Sequence, residues 1–248
     1  MENLVRNSLV ILSITLFVVL WANTYTFLYK HTRVKKNISF KLSSLGIPIE
    51  YAFSSFITIY YLGFAVIGIL LAAIQTHGLI WSIFQLNLTT ENLLVILLGI
   101  FSAFSLSYFL SDIFSIVKKN DKKQANEIRW VKGIKRFPTG LSYLVTVISS
   151  FIEEIFFRGV VLFLIVNVCG LNYLIAGIIS FLLFTYAQLK YTDTLNQAMI
   201  ILNSCITITA VSTVLIAVTH SIIPSMVMHG SFVMFYTFSK DAATKSSM

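Results

Sequence analysis

The sequence predicts an all-α fold, a polytopic membrane bundle of about seven transmembrane helices. Three observations carry that prediction. Of the 248 residues, 57% are hydrophobic and only 11% charged, where a soluble domain carries about 25% charged residues. The mean hydropathy is +0.85, which implies more apolar surface than one aqueous core can hide. The apolar residues also gather into seven long stretches with scattered Ser, Thr, Gly and Ala. Barrel strands would instead show an alternating pattern of about ten residues, so packed helices are favoured.

In chain order, residues 8–29 form the first stretch. Arg6 precedes it, as in a signal peptide, but no small-residue cleavage site follows around Leu20-Trp21-Ala22-Asn23. It therefore reads as a retained anchor. Residues 50–75 and 93–117 are the second and third spans, with Asp112 near the cytoplasmic end of the third. A basic loop, 118–138, comes next. Its Trp130 and Phe137 suit an amphipathic piece on the inner leaflet, and an ordinary solvated loop is the alternative. Residues 141–168, 171–189, 198–219 and 221–238 complete the set. The last two are separated near His220, Ser221 and Pro224, as a helical hairpin or as one broken helix. The chain thus divides into three N-terminal helices (1–117), the basic loop, a C-terminal bundle (139–238) and a cytoplasmic tail (239–248). Nearly all polar residues at depth fall in the C-terminal bundle, which makes it the expected working half, with the first half as lipid-facing support.

The net charge of +8 invites a nucleic-acid reading, and its distribution argues against one. Lys30, Arg33, Lys35, Lys36 and Lys41 lie between the first two spans. Lys118, Lys119, Lys122, Lys123, Arg129, Lys132, Lys135 and Arg136 lie between the third and fourth. With seven spans and an outside N-terminus, these join Lys190, Lys240 and Lys245 on one side. Of the 18 basic residues only Arg6 and Arg158 are left out. The positive-inside rule explains that asymmetry. The expected location is the cell membrane, multi-pass, with the C-terminus cytoplasmic, anionic lipids at the basic loops and no nucleic acid partner. Cys169 and Cys205, the only cysteines, make neither a disulfide framework nor a metal site. The sequon Asn87-Leu88-Thr89 matters only on a eukaryotic secretory route.

The fourth stretch contains Glu153-Glu154-Ile155-Phe156-Phe157-Arg158. Each ionisable residue at membrane depth costs about 2.5–3.5 kcal/mol on insertion scales, so these three need partners or a water-filled cavity. Glu154 and Arg158, four apart on a helix, can pair. Glu153 is then the surplus carboxylate and a candidate general base for water. Helix rise puts Glu153 about 18 Å from the inner boundary, and His229 at about the same level on the returning last span. A charge cluster that only fixes helix packing is the bland alternative, as is a hydrogen-bonded packing role for His229.

A Glu-Glu-x-x-x-Arg motif in a membrane helix, followed by a His in the last span, resembles the CPBP family. That family includes the CAAX prenyl-protein endopeptidases and proteins linked to bacteriocin processing and self-immunity. The resemblance covers roughly residues 139–238. The family pattern continues with FxxxH, best matched by Phe184-Thr185-Tyr186-Ala187-Gln188, and with HxxxN, best matched by His229-Gly230-Ser231-Phe232-Val233. The resemblance implies that Glu153 activates water, that Glu154 and Arg158 shape the cavity, and that His229 positions water or the substrate carbonyl. It would place an acid–base group at Gln188 and an oxyanion donor at Val233. Gln188 can orient water but cannot shuttle a proton, and Val233 cannot hydrogen-bond at all. Losing one oxyanion donor costs about 10²–10³ in rate elsewhere. Depth counting puts Gln188 only a few ångströms from the inner boundary, and Asn203 is a candidate substitute for a lost polar group.

Three functions follow as expectations. The first is an intramembrane endopeptidase with an altered site, acting on a membrane-embedded or lipid-anchored peptide or protein. The second is a silent relative that works by binding, in bacteriocin immunity or envelope regulation. The third is a small proton-coupled transporter using Glu153 and His229 as a relay. No cofactor is expected. The sequence has no HExxH, and only His220 and His229 lie near the acids, so no catalytic metal is expected either.

Overall fold

A computed structural model describes residues 2–87, 89–117 and 124–238. Their regular structure is entirely helical. In order these are α1 (Glu2–Lys30), α2 (Thr32–Ser43), α3 (Ile49–Gln75), a 3₁₀ turn (Leu79–Phe84) and α4 (Thr90–Val117). Then come α5 (Gln124–Glu127), α6 (Arg129–Ile134), α7 (Thr139–Glu154), α8 (Tyr173–Leu189), α9 (Leu195–Thr219) and α10 (Ile223–Phe238). Among the described residues four helices are long and apolar enough to cross a membrane: Val5–Lys30, Ile49–Gln75, Thr90–Ser115 and Leu195–Thr219. The other three apolar stretches are also helical, so the chain is a polytopic helical bundle. On α1, Leu9, Leu12, Leu16 and Leu20 are exposed together, a stripe that lipid, not water, covers.

The fourth stretch is not one regular helix. After Glu154 the backbone widens into π-helix over Ile155–Leu162 and again over Leu164–Val168. Such segments are rare and recur at functional sites. This one is the centre of the bundle: Phe157, Val161 and Ile165 have no exposed surface, and it packs against α3, α7 and α8. Ser180 of α8 donates to the carbonyl of Phe157 at 2.9 Å, so a neighbouring helix serves the backbone there. Two glycines bring helices close to this axis. A Cβ on Gly68 of α3 would stand 2.4 Å from Phe156 Cε2, and one on Gly230 of α10 would stand 2.9 Å from Phe151 Cε1.

The last two stretches form a hairpin, not a broken helix. α9 ends at His220, whose φ of 53° is left-handed, and Pro224 sits in the first turn of α10, where its missing N–H costs nothing. The N–H of Ile222 donates to Ile83 in the 3₁₀ turn, and α10 packs back on α9, α7 and α4.

The described part of the basic loop, 124–138, folds onto the bundle. Val131, Ile134 and Phe137 are buried, and Ser142 of α7 donates to the carbonyls of Ile134 and Phe137. Arg129 donates through Nη1 to the carbonyl of Lys190 and pairs with Asp193. The Lys35 ammonium lies 5.1 and 5.0 Å from the rings of Tyr29 and Phe53. Burial there, reinforced by the charge of Arg136, lowers its pKa. The described cations of both loops thus gather at one end of the bundle. Arg6, which donates to the carbonyl of Val168, stands at the far end of the fourth stretch. Lys118, Lys119, Lys122, Lys123, Lys240, Lys245, the tail 239–248 and Leu88 of the sequon lie outside the described residues.

Candidate active site

The chemistry is set by which face each acid takes at the end of α7. Glu154 turns into the bundle and has no exposed surface. Its Oε1 is 3.2 Å from Nη1 of Arg158 and 2.9 Å from Nδ1 of His229. Its Oε2 accepts hydrogen bonds from Ser212 of α9, at 3.0 Å, and from Ser225 of α10. Arg158 is equally buried. Its Nη2 donates to Thr209 at 2.8 Å, and its guanidinium stands 4.3 Å from the ring centroid of Phe184. Glu154 therefore ties three helices and one cation together. The expected pair forms, and it forms in the interior, where breaking it is expensive.

Glu153 turns the other way. Its Oε1 accepts two hydrogen bonds, from the Tyr61 hydroxyl at 2.5 Å and from Nε2 of Gln188 at 2.9 Å. Its Oε2 faces Nε2 of His229 at 3.9 Å. His229 stands between the two acids. A carboxylate only accepts, so Nδ1 donates to Glu154, and Nε2 is turned toward Glu153. Glu153 keeps 14% of its side-chain surface exposed, and it lines a cavity of about 60 Å³. Tyr25, Tyr29, Tyr61, Trp130 and Tyr191 form much of the wall. The cavity runs toward α6 at the basic end of the bundle.

The five residues singled out in the sequence (Glu153, Glu154, Arg158, Gln188 and His229) converge. His229 stands level with Glu153, as helix rise predicts. Gln188, which depth counting separates from Glu153, lies beside it, with its Nε2 2.9 Å from Oε1. α8 keeps nearly its expected limits. Arg129 of α6 covers the turn after it through Lys190 and Asp193. Asn203 is not a substitute for a lost site group. Its Nδ2 donates to the Ser107 carbonyl and to the Ser111 hydroxyl of α4. Val233 is half-buried and packs on the apolar core, with nothing to offer an oxyanion.

Other site groups carry no motif. Ser212, Ser225 and Thr209 look like ordinary small residues of packed membrane helices. Tyr61 had a faint signal: tyrosines favour the membrane interfaces, and this one stands mid-span. It also corrects the view of the first three helices as mere support, since α3 reaches the carboxylate directly. Among the described residues no group of three or more His, Cys, Asp or Glu side chains is arranged to hold a metal ion.

Fold and site together define a polytopic membrane protein with two carboxylates, a histidine and a small cavity at the heart of its helix bundle. Residues 135–235, which are 101 of the 248, match the family described as Type II CAAX prenyl endopeptidase Rce1-like. The resemblance read from the Glu-Glu-x-x-x-Arg motif is thereby shown for the segment from the end of α6 to the end of α10, and it suggests a CAAX-protease-like function. No curated protein and no solved structure matches the chain.

Proposed function

We propose that the protein is an intramembrane endopeptidase in which Glu153 activates water for attack on a peptide bond of a membrane-embedded or lipid-anchored substrate. The observation that carries this reading is the 3.9 Å gap between Glu153 Oε2 and His229 Nε2. It is too long for a hydrogen bond. A water about 2.8 Å from each closes a triangle with a near-right angle at its oxygen. Glu153 then draws on one of that water's protons, while a lone pair stays free to attack. Glu153 takes the proton as the carbon–oxygen bond forms and returns it to the nitrogen as the carbon–nitrogen bond breaks. His229, held by Glu154, orients the water. Glu154 and Arg158 keep His229 and the helix ends in place. The cavity faces the cytoplasm, and the cations of α2 and α6 rest on anionic headgroups of the inner leaflet.

A second reading has its own observations. Val233 offers no oxyanion donor, Gln188 cannot shuttle a proton, and a cavity of about 60 Å³ admits water but no peptide. These favour a silent relative that works by binding, as in bacteriocin immunity. Glu153→Gln separates the two. Quantitative peptide profiling of host membranes would compare cells with the parent protein, the variant and neither, with membrane abundance matched by blot. Peptides released only by the parent support the endopeptidase. Identical profiles with a retained host phenotype overturn it in favour of binding.

A further inference from the structure

We propose that Tyr61 is a positioning residue for Glu153, and that with Gln188 it forms a two-donor clamp that commits Glu153 Oε2 to the water. This rests on the reading of Glu153 as the base. It assigns part of the site to α3, which lies outside the matched segment 135–235.

A carboxylate has two chemically equal oxygens, and an unrestrained one rotates between several partners. Here both donors converge on Oε1, at 2.5 and 2.9 Å. They take the place of the water that would otherwise solvate that oxygen. Only Oε2 then remains to face His229. Gln188 alone does not suffice, since one hydrogen bond leaves the group free to swing about the donor. The tyrosine arrives from the opposite wall, 92 residues away in sequence, so the carboxylate is held from two sides.

Tyr61 is itself held. Its side chain is buried, its ring lies 4.7 Å from that of Trp21, and it meets Tyr191 at 6.2 Å. Trp21 has 1% of its surface exposed and packs at 5.2 Å against Phe156 and 6.0 Å against Phe157. The phenol is therefore anchored to the π-helical segment immediately after Glu153 and Glu154. The close approach at Gly68 lets α3 reach it. Preorganisation of this kind is what keeps a catalytic group in a reactive geometry.

The test has two arms on full-length protein in lipid nanodiscs. Infrared difference spectra between the parent and Glu153→Gln isolate the carboxyl bands of Glu153, and the same subtraction is made in a Tyr61→Phe background. The expected result is a shift of those bands in Tyr61→Phe, and a further shift when Gln188→Leu is added. Unmoved bands overturn the proposal whatever the activity. The second arm follows peptide release from a lipid-anchored substrate found by the profiling above. Tyr61→Phe should lower kcat by up to about a hundredfold with KM unchanged, the loss produced by a misplaced reacting group. The double variant with Gln188→Leu should cost less than the product of the two single losses. A raised KM with kcat intact overturns positioning in favour of substrate binding. Bands that shift while neither protein releases peptide overturn the hydrolytic reading and leave the hold of Tyr61 on Glu153 standing.

Discussion

Replacing Arg158 with leucine removes the guanidinium 3.2 Å from Glu154 Oε1. The carboxylate then stays in the interior with no exposed surface, and its Oε1 keeps only His229 at 2.9 Å. Thr209 loses its donor, and the face of Phe184 loses a guanidinium 4.3 Å away. Breaking one side of a buried ion pair costs about 3–5 kcal/mol, because the remaining charge is left uncompensated. At 1.4 kcal/mol per tenfold, that is about two to three and a half decades in the folded-to-unfolded ratio. The assay is reversible unfolding in mixed micelles of lipid and denaturing detergent, following tryptophan fluorescence. Arg158→Leu should unfold at markedly lower denaturant fraction. Glu154→Gln should unfold at an intermediate one, since its amide keeps a partner for Ser212 or His229. The double variant Glu154→Gln with Arg158→Leu should recover part of the loss, because no charge is then stranded. A loss under about 1 kcal/mol in Arg158→Leu, as for a solvated pair, would refute the reasoning. It would mean that water reaches Glu154.

Other perturbations have equally definite outcomes. Gly68→Ala drives a Cβ to 2.4 Å from Phe156 Cε2, against a ring held by Trp21 and Phe17. It should cost about 1–3 kcal/mol, as overpacking does, read as a lower unfolding midpoint in the same micelles; Gly63→Ala on the same helix, where a Cβ meets nothing within 4 Å, serves as the control. Asp193→Asn leaves a half-exposed pair with Arg129 and should move stability by less than about 1 kcal/mol. A larger loss would show that α6 depends on that contact. Gln188→His restores the family's residue beside Glu153 and supplies a group that gives and takes protons. On the hydrolytic reading it should raise peptide release at least about tenfold, measured by the profiling assay, and an unchanged rate would show that proton transfer is not the limiting step.

The sequence by itself determined the class of fold and the address of the site. Hydropathy places the spans because lipid cannot satisfy an open backbone, so each long apolar run must become a helix. The cost of charge at depth marks Glu153, Glu154 and Arg158 on sight, and helix rise alone sets His229 level with them. Those inferences work because they depend on one helix at a time, or on two joined by a common membrane frame.

Only the tertiary structure decided the rest. The other partners of each acid depend on what four helices present: Ser212 of α9 with Ser225 and His229 of α10 claim Glu154, and Tyr61 of α3 and Gln188 of α8 take Glu153. The i,i+4 spacing already points Arg158 to Glu154, but no local pattern names these further partners. Counting residues separates Gln188 from Glu153, whereas packing sets the two side by side, with Arg129 of α6 on the turn after α8. The π-helical widening after Glu154 has no composition of its own. Tyr61 comes from a helix whose sequence offers only a tyrosine at an unusual depth. Its contact with Glu153 exists because Gly68 lets two helices close on each other, and long-range packing of that kind is a property of the assembled bundle.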